Sequence, residues 1–230
     1  MTNDKNTKEQ RVMSPRFLTL KDQRGFTLAE LLVTTGLSLF VLASISGVFR
    51  AQTHTTKGQE SRMEAHEYAL TVLDMIVREI RNTGYFPSAA CDATGGITAA
   101  STTSFSFQYD KNSDGSCGGN DEIITFDYDS ASMNVRRTTA APAATETLTD
   151  GNATALQFTY YPQQTSGTAP APYCVSAGVP SGCSGTLSSN LKNVQKIAIS
   201  LTVAPKSTDS QFAGSAVTMS LTADLRNHGT

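Results

Sequence analysis

One long apolar segment dominates this sequence. It runs from Phe26 to Phe49, and Glu30 is its only charged residue. At about 1.5 Å per residue, a helix of this length covers about 36 Å, and the hydrocarbon core of a bilayer is about 30 Å thick. The segment is therefore long enough to cross a membrane as a single helix, with Arg50 at its far end.

The charges on the two sides of this segment differ. Residues 1–25 hold six basic and three acidic side chains, whereas the remaining residues hold 12 basic and 17 acidic ones. A basic head before an apolar helix is typical of a chain whose N-terminus stays in the cytoplasm while the rest is exported. The formal net charge of the whole chain is −2, so no broad positive field favours nucleic acid binding.

Glu30 is unusual in an apolar segment. A carboxylate at the centre of a membrane helix costs roughly 2.5–3.5 kcal/mol on insertion scales, and less near an interface. One interpretation is that Glu30 reaches the cytoplasmic headgroups, because it lies close to the start of the segment. The other is a counter-charge from a neighbouring subunit. If the chain is cut between Gly25 and Phe26, the new amino group of Phe26 can neutralise the glutamate of a staggered neighbour.

The residues around this cut resemble a known processing signal. The stretch RGFTLAELLV resembles the prepilin signature G-F-T-L-x-E-L of type IV pilins and type II secretion pseudopilins. The resemblance implies that a prepilin peptidase cuts after Gly25 and methylates the new N-terminal Phe26. It also implies that Glu30, the fifth residue of the mature chain, supports the assembly of subunits.

The helix is expected to continue beyond the apolar segment. Apolar residues recur at three- and four-residue steps from Met63 to Ile80, a stripe that includes His66 as a packing residue. No proline occurs between Phe26 and Phe86, and Asn82-Thr83-Gly84 supplies a stop signal. The pattern predicts one helix from Phe26 to about Asn82, whose second half packs on a globular head.

A second resemblance narrows the class of protein. The stretch ALTVLDMIVREIRNTGY, followed by a β-rich region that ends near ADLRN, resembles the PilW-type minor pilins and the J-type minor pseudopilins. It implies a minor subunit, anchored in the inner membrane by one helix with a periplasmic head and later incorporated in a filament or its tip. The implied partners are other minor pilins, the major pilin, the prepilin peptidase and the inner-membrane assembly platform.

Beyond Gly84, short runs with a period of two predict strands. They are Ser104–Tyr109, Glu122–Tyr128, Ser132–Arg137, Ala155–Tyr161, Val194–Val203 and Ala216–Leu225. The stretches 138–150 and 162–189 are predicted to be loops. Antiparallel strands with one face against the amphipathic helix give an α+β fold, in agreement with the pilin fold that the resemblance implies. The expected segments are a leader (1–25), a membrane or filament-core half-helix (26–49), an amphipathic half-helix (50–84) and a β-rich head (85–230).

Four cysteines all lie beyond the apolar segment, and none forms a CxxC pair. They are Cys91, Cys117, Cys174 and Cys183. In an exported chain an even number of cysteines indicates disulfides, which can be drawn in three ways. We favour the pairs that are close in sequence, Cys91–Cys117 and Cys174–Cys183. The alternative is four free thiols in a cytosolic protein, which requires the apolar segment to be a buried core helix.

An aspartate-rich stretch, YDKNSDGSCGGNDE, separates two predicted strands. Alternating oxygen-bearing side chains before Gly115 match the first half of an EF-hand loop, which wraps Ca²⁺. The second half departs from that pattern, because the twelfth position is an aspartate and strands flank the loop. The candidate Ca²⁺ ligands are Asp110, Asn112, Asp114, Asp121 and Glu122. The alternative is a polar hairpin turn built from good turn formers.

Three classes of function compete. The first is a minor pilin that starts or caps a pilus, or a minor pseudopilin of a type II secretion system. The second is a membrane-anchored periplasmic enzyme, which is disfavoured because histidines occur only at His54, His66 and His228 and no G-x-S-x-G, HExxH or P-loop is present. The third is an adhesive or DNA-uptake tip module. The acidic head argues against phosphate binding, although a basic patch at residues 136–137 and 192–196 leaves it open.

Overall fold

The computed structural model describes residues 25–86, 96–115, 121–140, 142–164, 167, 169–175, 183–206 and 216–226. These residues form one long helix, α1, from Leu28 to Ile80, and eight strands. The strands are β1 Ile97–Ala100, β2 Ser104–Gln108, β3 Ile123–Asp129, β4 Asn134–Ala140, β5 Ala143–Thr147, β6 Ala153–Pro162, β7 Val194–Val203 and β8 Val217–Asp224. Two short 3-10 turns, Leu187–Ser189 and Leu191–Asn193, precede β7.

The helix α1 confirms the prediction of one continuous helix. It covers 53 residues and runs through three glycines without a break. After Ile80 the chain makes turn hydrogen bonds from Asn82 N to Glu79 O and from Thr83 N to Ile80 O, both 3.0 Å. Gly84 then adopts a φ of 75°, which glycine adopts readily because it has no Cβ. The predicted stop signal therefore ends the helix.

The chain forms two compact units, residues 1–50 and residues 51–230, and α1 contributes to both. The second unit contains two antiparallel sheets, one with the strand order β1-β2-β3-β4-β5 and one with the order β6-β7-β8. Strands that are adjacent in sequence pair with each other within each sheet. This arrangement confirms the predicted α+β class with a long N-terminal helix.

The hydrophobic core of the second unit lies between the last part of α1 and the two sheets. The buried helix residues are Ala65, Ala69, Val72, Leu73, Ile76, Val77 and Ile80. Aromatic rings fill the sheet side of the core: the ring of Phe105 lies 5.4 Å from that of Phe107 and 5.8 Å from that of Tyr160. The buried Tyr160 hydroxyl donates to Ser101 O at 2.7 Å, and burial raises the pKa of this hydroxyl.

An ion pair joins α1 to the first sheet. Arg137 of β4 donates through Nε to both carboxylate oxygens of Glu79, at 3.0 and 2.9 Å. The two side chains are only 16% and 25% exposed. Because a charge that is mostly out of water needs a partner, this contact fixes the helix against β4.

Three details of the head differ from the sequence-based predictions. The stretch 138–150 was expected to be a loop, but it holds β5, which pairs with β4 from Arg136↔Thr147 to Ala140↔Ala143. The short strand β1 was not predicted. The apolar stripe was also wrong at its start, since Met63 is 64% exposed and His66 is exposed. The helix turns Ala65 inward instead, and from Ala69 onward the buried residues include the predicted Ala69, Leu73, Ile76, Val77 and Ile80.

The disulfide Cys174–Cys183 confirms one of the two favoured pairs. It closes the loop between β6 and β7, and two backbone hydrogen bonds hold Cys174 in place, from its N to Gly185 O (2.9 Å) and from Leu187 N to its O (2.8 Å). The cross-link therefore braces the connection between β6 and β7. Cys91 and Cys117 lie outside the described residues.

Candidate functional site

The start of α1 is capped by reciprocal hydrogen bonds between Thr27 and Glu30. The Glu30 carboxylate accepts hydrogen bonds from Thr27 N and Thr27 Oγ1, both 3.0 Å, and Thr27 Oγ1 accepts one from Glu30 N at 3.3 Å. This is a capping box, in which residues three apart satisfy the exposed N–H groups of a helix end. The T-x-x-E spacing was a sequence signal for it, and we did not predict it.

The apolar half of α1 satisfies its own hydroxyl groups. Each of five serine or threonine hydroxyls donates to the backbone carbonyl four residues earlier, at 2.7–2.9 Å. They belong to Thr34, Thr35, Ser38, Ser44 and Ser46. In a lipid environment a polar group without a hydrogen-bond partner costs several kcal/mol. These hydrogen bonds avoid that cost. The helix surface is therefore compatible with an apolar environment despite its hydroxyl residues.

The outer surface of this half-helix is apolar and exposed. Phe26, Leu28 and Phe40 are 81%, 78% and 73% exposed, and no residue of the most apolar stretch is buried within the described chain. The helix is long and apolar enough to cross a membrane. An exposed apolar surface of this extent marks a protein or membrane interaction site.

The aspartate-rich loop brings three of its five candidate ligands together. Carboxylate oxygens of Asp110, Asp114 and Glu122 all lie within 4.8 Å of one another. The Asp110 carboxylate is buried and accepts hydrogen bonds from Asp114 N (3.2 Å) and Gly115 N (2.9 Å). These backbone contacts hold the carboxylate at the inside of the turn, so oxygen atoms converge from both ends of the loop.

The other two candidate ligands lie at the edge of this cluster. Asn112 donates through Nδ2 to Asp114 Oδ2 at 2.8 Å and accepts from Asp114 N at 3.0 Å. The Asp121 carboxylate instead faces Lys111 at 3.8 Å. The loop therefore combines the ligand chemistry that Ca²⁺ prefers with the local hydrogen bonds of a polar turn, and Ca²⁺ binding stays a prediction.

Addition of Ca²⁺ is expected to raise the melting temperature of the full chain in detergent. At a Ca²⁺ concentration about 100 times its dissociation constant, binding stabilises the folded state by about 2.7 kcal/mol, which is roughly 5–10 °C for a domain of this size. Scanning calorimetry with and without chelator measures this shift. Asp110→Asn is expected to remove it, whereas Asp121→Asn, outside the cluster, is expected to leave most of it. Equal melting temperatures in Ca²⁺ and chelator would retire the prediction.

Three of the four cations of the predicted basic patch, Arg136, Arg137 and Lys196, form ion pairs. Arg136 contacts Asp127 (2.5 Å) and Asp129 (3.1 Å), and the hydrogen bond and charge of Asp127 raise the pKa of Arg136. Lys196 lies 3.7 Å from Asp224. These carboxylates offset the positive charges that a phosphate backbone would need.

The two histidines among the described residues do not form a cluster. His54 and His66 both lie on α1, about three turns apart, and His228 is outside the described residues.

Comparison with known proteins identifies the family. A family model, Prepilin peptidase-dependent protein B, matches residues 59–229, which is most of the chain. Searches of the curated proteins and of the solved structures gave no match. The matched region contains α1 from Gln59 onward and both sheets, but neither the capping box nor the apolar half-helix. The chain belongs to the family of prepilin peptidase-dependent protein B, and it is a type IV pilus-related protein.

Proposed function

We propose that this chain is a minor pilin that helps to start or cap a type IV pilus. The observation that carries the proposal is the agreement of two separate parts of the chain. The prepilin-like stretch at residues 24–33 and the family match at residues 59–229 share no residue. Each of them points to a substrate of the prepilin peptidase. A chance apolar helix would explain neither the signature nor the family match.

In this proposal the leader (1–25) is removed and the new amino group of Phe26 is methylated. The half-helix 26–49 lies first in the inner membrane and then in the core of the filament, residues 50–84 connect it to the head, and the head (85–230) lies in the periplasm. The exposed apolar surface of α1 supports this, because such a surface is stable only in lipid or against other helices.

The proposed role is structural rather than catalytic. The partners would be other minor pilins, the major pilin, the prepilin peptidase and the assembly platform of the inner membrane. Nucleic acid is not among them, because Arg136, Arg137 and Lys196 already face carboxylates. Glu30 would serve assembly, with its carboxylate close to the Phe26 amino group of an adjacent subunit.

Deletion of the gene is expected to reduce the number of surface fibres severalfold, with full recovery when the chain is supplied from a plasmid. Quantitative mass spectrometry of sheared fibres should find this chain far below the major pilin in copy number, because a subunit that starts or caps a fibre is needed only at its end. A copy number close to that of the major pilin would contradict the minor role.

The gene-deletion strain also distinguishes the proposed minor pilin from a minor pseudopilin of a type II secretion system. A minor pseudopilin would leave surface fibres unchanged and instead reduce the release of secreted proteins. Normal fibres together with lost secretion would therefore replace the proposed function by that of a type II secretion pseudopilin.

A further inference from the structure

A groove lies on the outer face of the β6-β7-β8 sheet. Its volume is about 450 Å³, within the range of small-molecule sites in proteins. Tyr161, Lys196 and Asp224, which are neighbours across the three strands, form one row of its floor, and Ala198 and Thr222 belong to the next row. Each of these residues precedes or follows a buried residue of its strand, so it points away from the core.

The wall of the groove is the stretch of chain that follows β6. Pro162, Gln163 and Gln164 line the groove at the start of this stretch, and Ala169 and Pro170 line it further along. Proline fixes its own φ, so the backbone of the wall has little freedom at Pro162 and at Pro170.

The far end of the wall is anchored beside the disulfide. Ser184, which follows Cys183 in the chain, donates through Oγ to Ala171 O at 2.6 Å and through N to Pro172 O at 3.0 Å. The stretch after Pro170 is therefore held against the Cys174–Cys183 cross-link. A groove whose wall is fixed before a ligand arrives loses less conformational entropy on binding.

The groove carries no net charge. Among the described residues that line it, Lys196 and Asp224 are the only charged ones, and their side chains lie 3.7 Å apart. They are 47% and 70% exposed, so both are accessible to a ligand while their charges offset each other. Binding of an ion is favoured by an excess of the opposite charge. The groove therefore favours a neutral ligand.

The lining is rich in side chains that form hydrogen bonds. More than half of the residues that line the groove carry a side-chain donor or acceptor, whereas most small-molecule pockets are lined predominantly by apolar groups. Gln163 and Thr222 are exposed, and an amide or a hydroxyl can both donate and accept. Tyr161, Pro162 and Ala198 add apolar surface to the same lining. The matching ligand is neutral, with many hydroxyl groups and one apolar face.

We propose that this groove binds a neutral sugar ring of a glycan. The hydroxyl groups of a pyranose both donate and accept hydrogen bonds, and its C–H groups form an apolar face. The face of the Tyr161 ring is negatively polarised and attracts such C–H groups. Gln163, Lys196 and Asp224 supply donors and acceptors for the hydroxyl groups. Sugar binding goes beyond the proposed minor-pilin function and does not depend on it.

Binding is tested by saturation-transfer NMR, which detects the sugar protons that lie against the protein. The full chain is kept in a detergent without a sugar headgroup, and the probes are lactose and chitotriose, an oligomer of N-acetylglucosamine. We expect saturable transfer to the ring C–H protons of at least one probe at millimolar concentrations. Transfer to chitotriose alone indicates a cell-wall glycan as the source, and transfer to lactose alone a glycan outside the cell. Saturable transfer to neither probe would overturn the proposal.

Substitutions of Tyr161 test the aromatic contact. Tyr161→Ala is expected to weaken binding of the probe roughly tenfold, because the sugar loses the ring on which it packs. Tyr161→Phe keeps the ring and should stay within about threefold of the natural affinity. Tyr85→Ala is the matched control, because Tyr85 is 49% exposed and does not line the groove. Natural affinity in Tyr161→Ala would show that the sugar binds elsewhere and would overturn the proposal.

A second pair of variants fills the groove and leaves Tyr161 in place. Ala198→Gln adds a longer side chain to the floor, whereas Ser200→Gln adds the same side chain to the same face of β7 outside the groove. We expect Ala198→Gln to lose at least about tenfold in affinity and Ser200→Gln to bind normally, with cooperative thermal unfolding in both. Equal binding by these two variants would rule out the groove as the sugar site.

Discussion

Replacing Glu30 by glutamine is expected to leave the chain in the inner membrane and to remove it from sheared fibres. A buried ion pair that loses one partner costs roughly 3–5 kcal/mol, which is a factor of about 100 or more in an equilibrium constant. Insertion itself should be unaffected or improved, because a neutral side chain is less costly in lipid than a carboxylate. Fractionation of membranes and immunoblotting of sheared fibres measure the two quantities separately.

The capping box makes glutamine the informative replacement. Glutamine at the third helical position can still bond the backbone of Thr27, so Glu30→Gln removes the charge and keeps the cap. Thr27→Ala does the opposite, at a cost of about 0.5–2 kcal/mol to the helix end. If the charge matters, Glu30→Gln fails in assembly and Thr27→Ala succeeds. Normal assembly of Glu30→Gln with failure of Thr27→Ala would assign Glu30 to helix capping and remove its role between subunits.

Replacing Gly25 by leucine is expected to leave the leader of residues 1–25 attached and to keep the chain out of fibres. The cut that the sequence predicts lies directly after Gly25, so leucine there places a large side chain beside the bond that is to be cut. Without the cut, Phe26 has no free amino group to neutralise Glu30 in an adjacent subunit. Intact-mass spectrometry of the natural chain should find a methylated Phe26 at the N-terminus.

The chain itself gives no reason for this substitution to fail. A Cβ at Gly25 meets no atom within 4 Å, and the same is true of Gly36. Gly36→Leu therefore serves as the matched control, with a similar side chain added to the same segment and normal processing expected. An assembled chain that still begins at Met1, or cleavage of both variants alike, would contradict processing after Gly25.

The sequence predicted those elements whose pattern is set by their own residues. The helix α1 lacks proline throughout and is followed by the turn at Gly84. The strand β7 alternates strictly from Ile197 to Val203, and its predicted and observed bounds, Val194–Val203, coincide. The strand β5 could not be predicted, because its sequence AATET is exposed at all five positions and has no apolar face. It is a strand only because β4 lies beside it.

The candidate site shows the same limit. The spacing of Asp110 and Asp114 around a turn was readable, but the orientation of Asp121 toward Lys111 depends on the folded loop. Met63 and His66 were misplaced for a related reason. The face of an amphipathic helix that becomes buried depends on where its neighbours end.

The back-bonded hydroxyls of the half-helix bear on how a subunit could leave the bilayer. Thr34, Thr35 and Ser38 hold their donors within the helix, so extraction breaks no bond to lipid and entry into a bundle requires none to be made. Transfer in either direction then exchanges apolar contacts with lipid for apolar contacts with neighbouring helices. Polar groups add little enthalpic barrier to this transfer. Such a segment is suited to the proposed transfer between the membrane and the core of a filament.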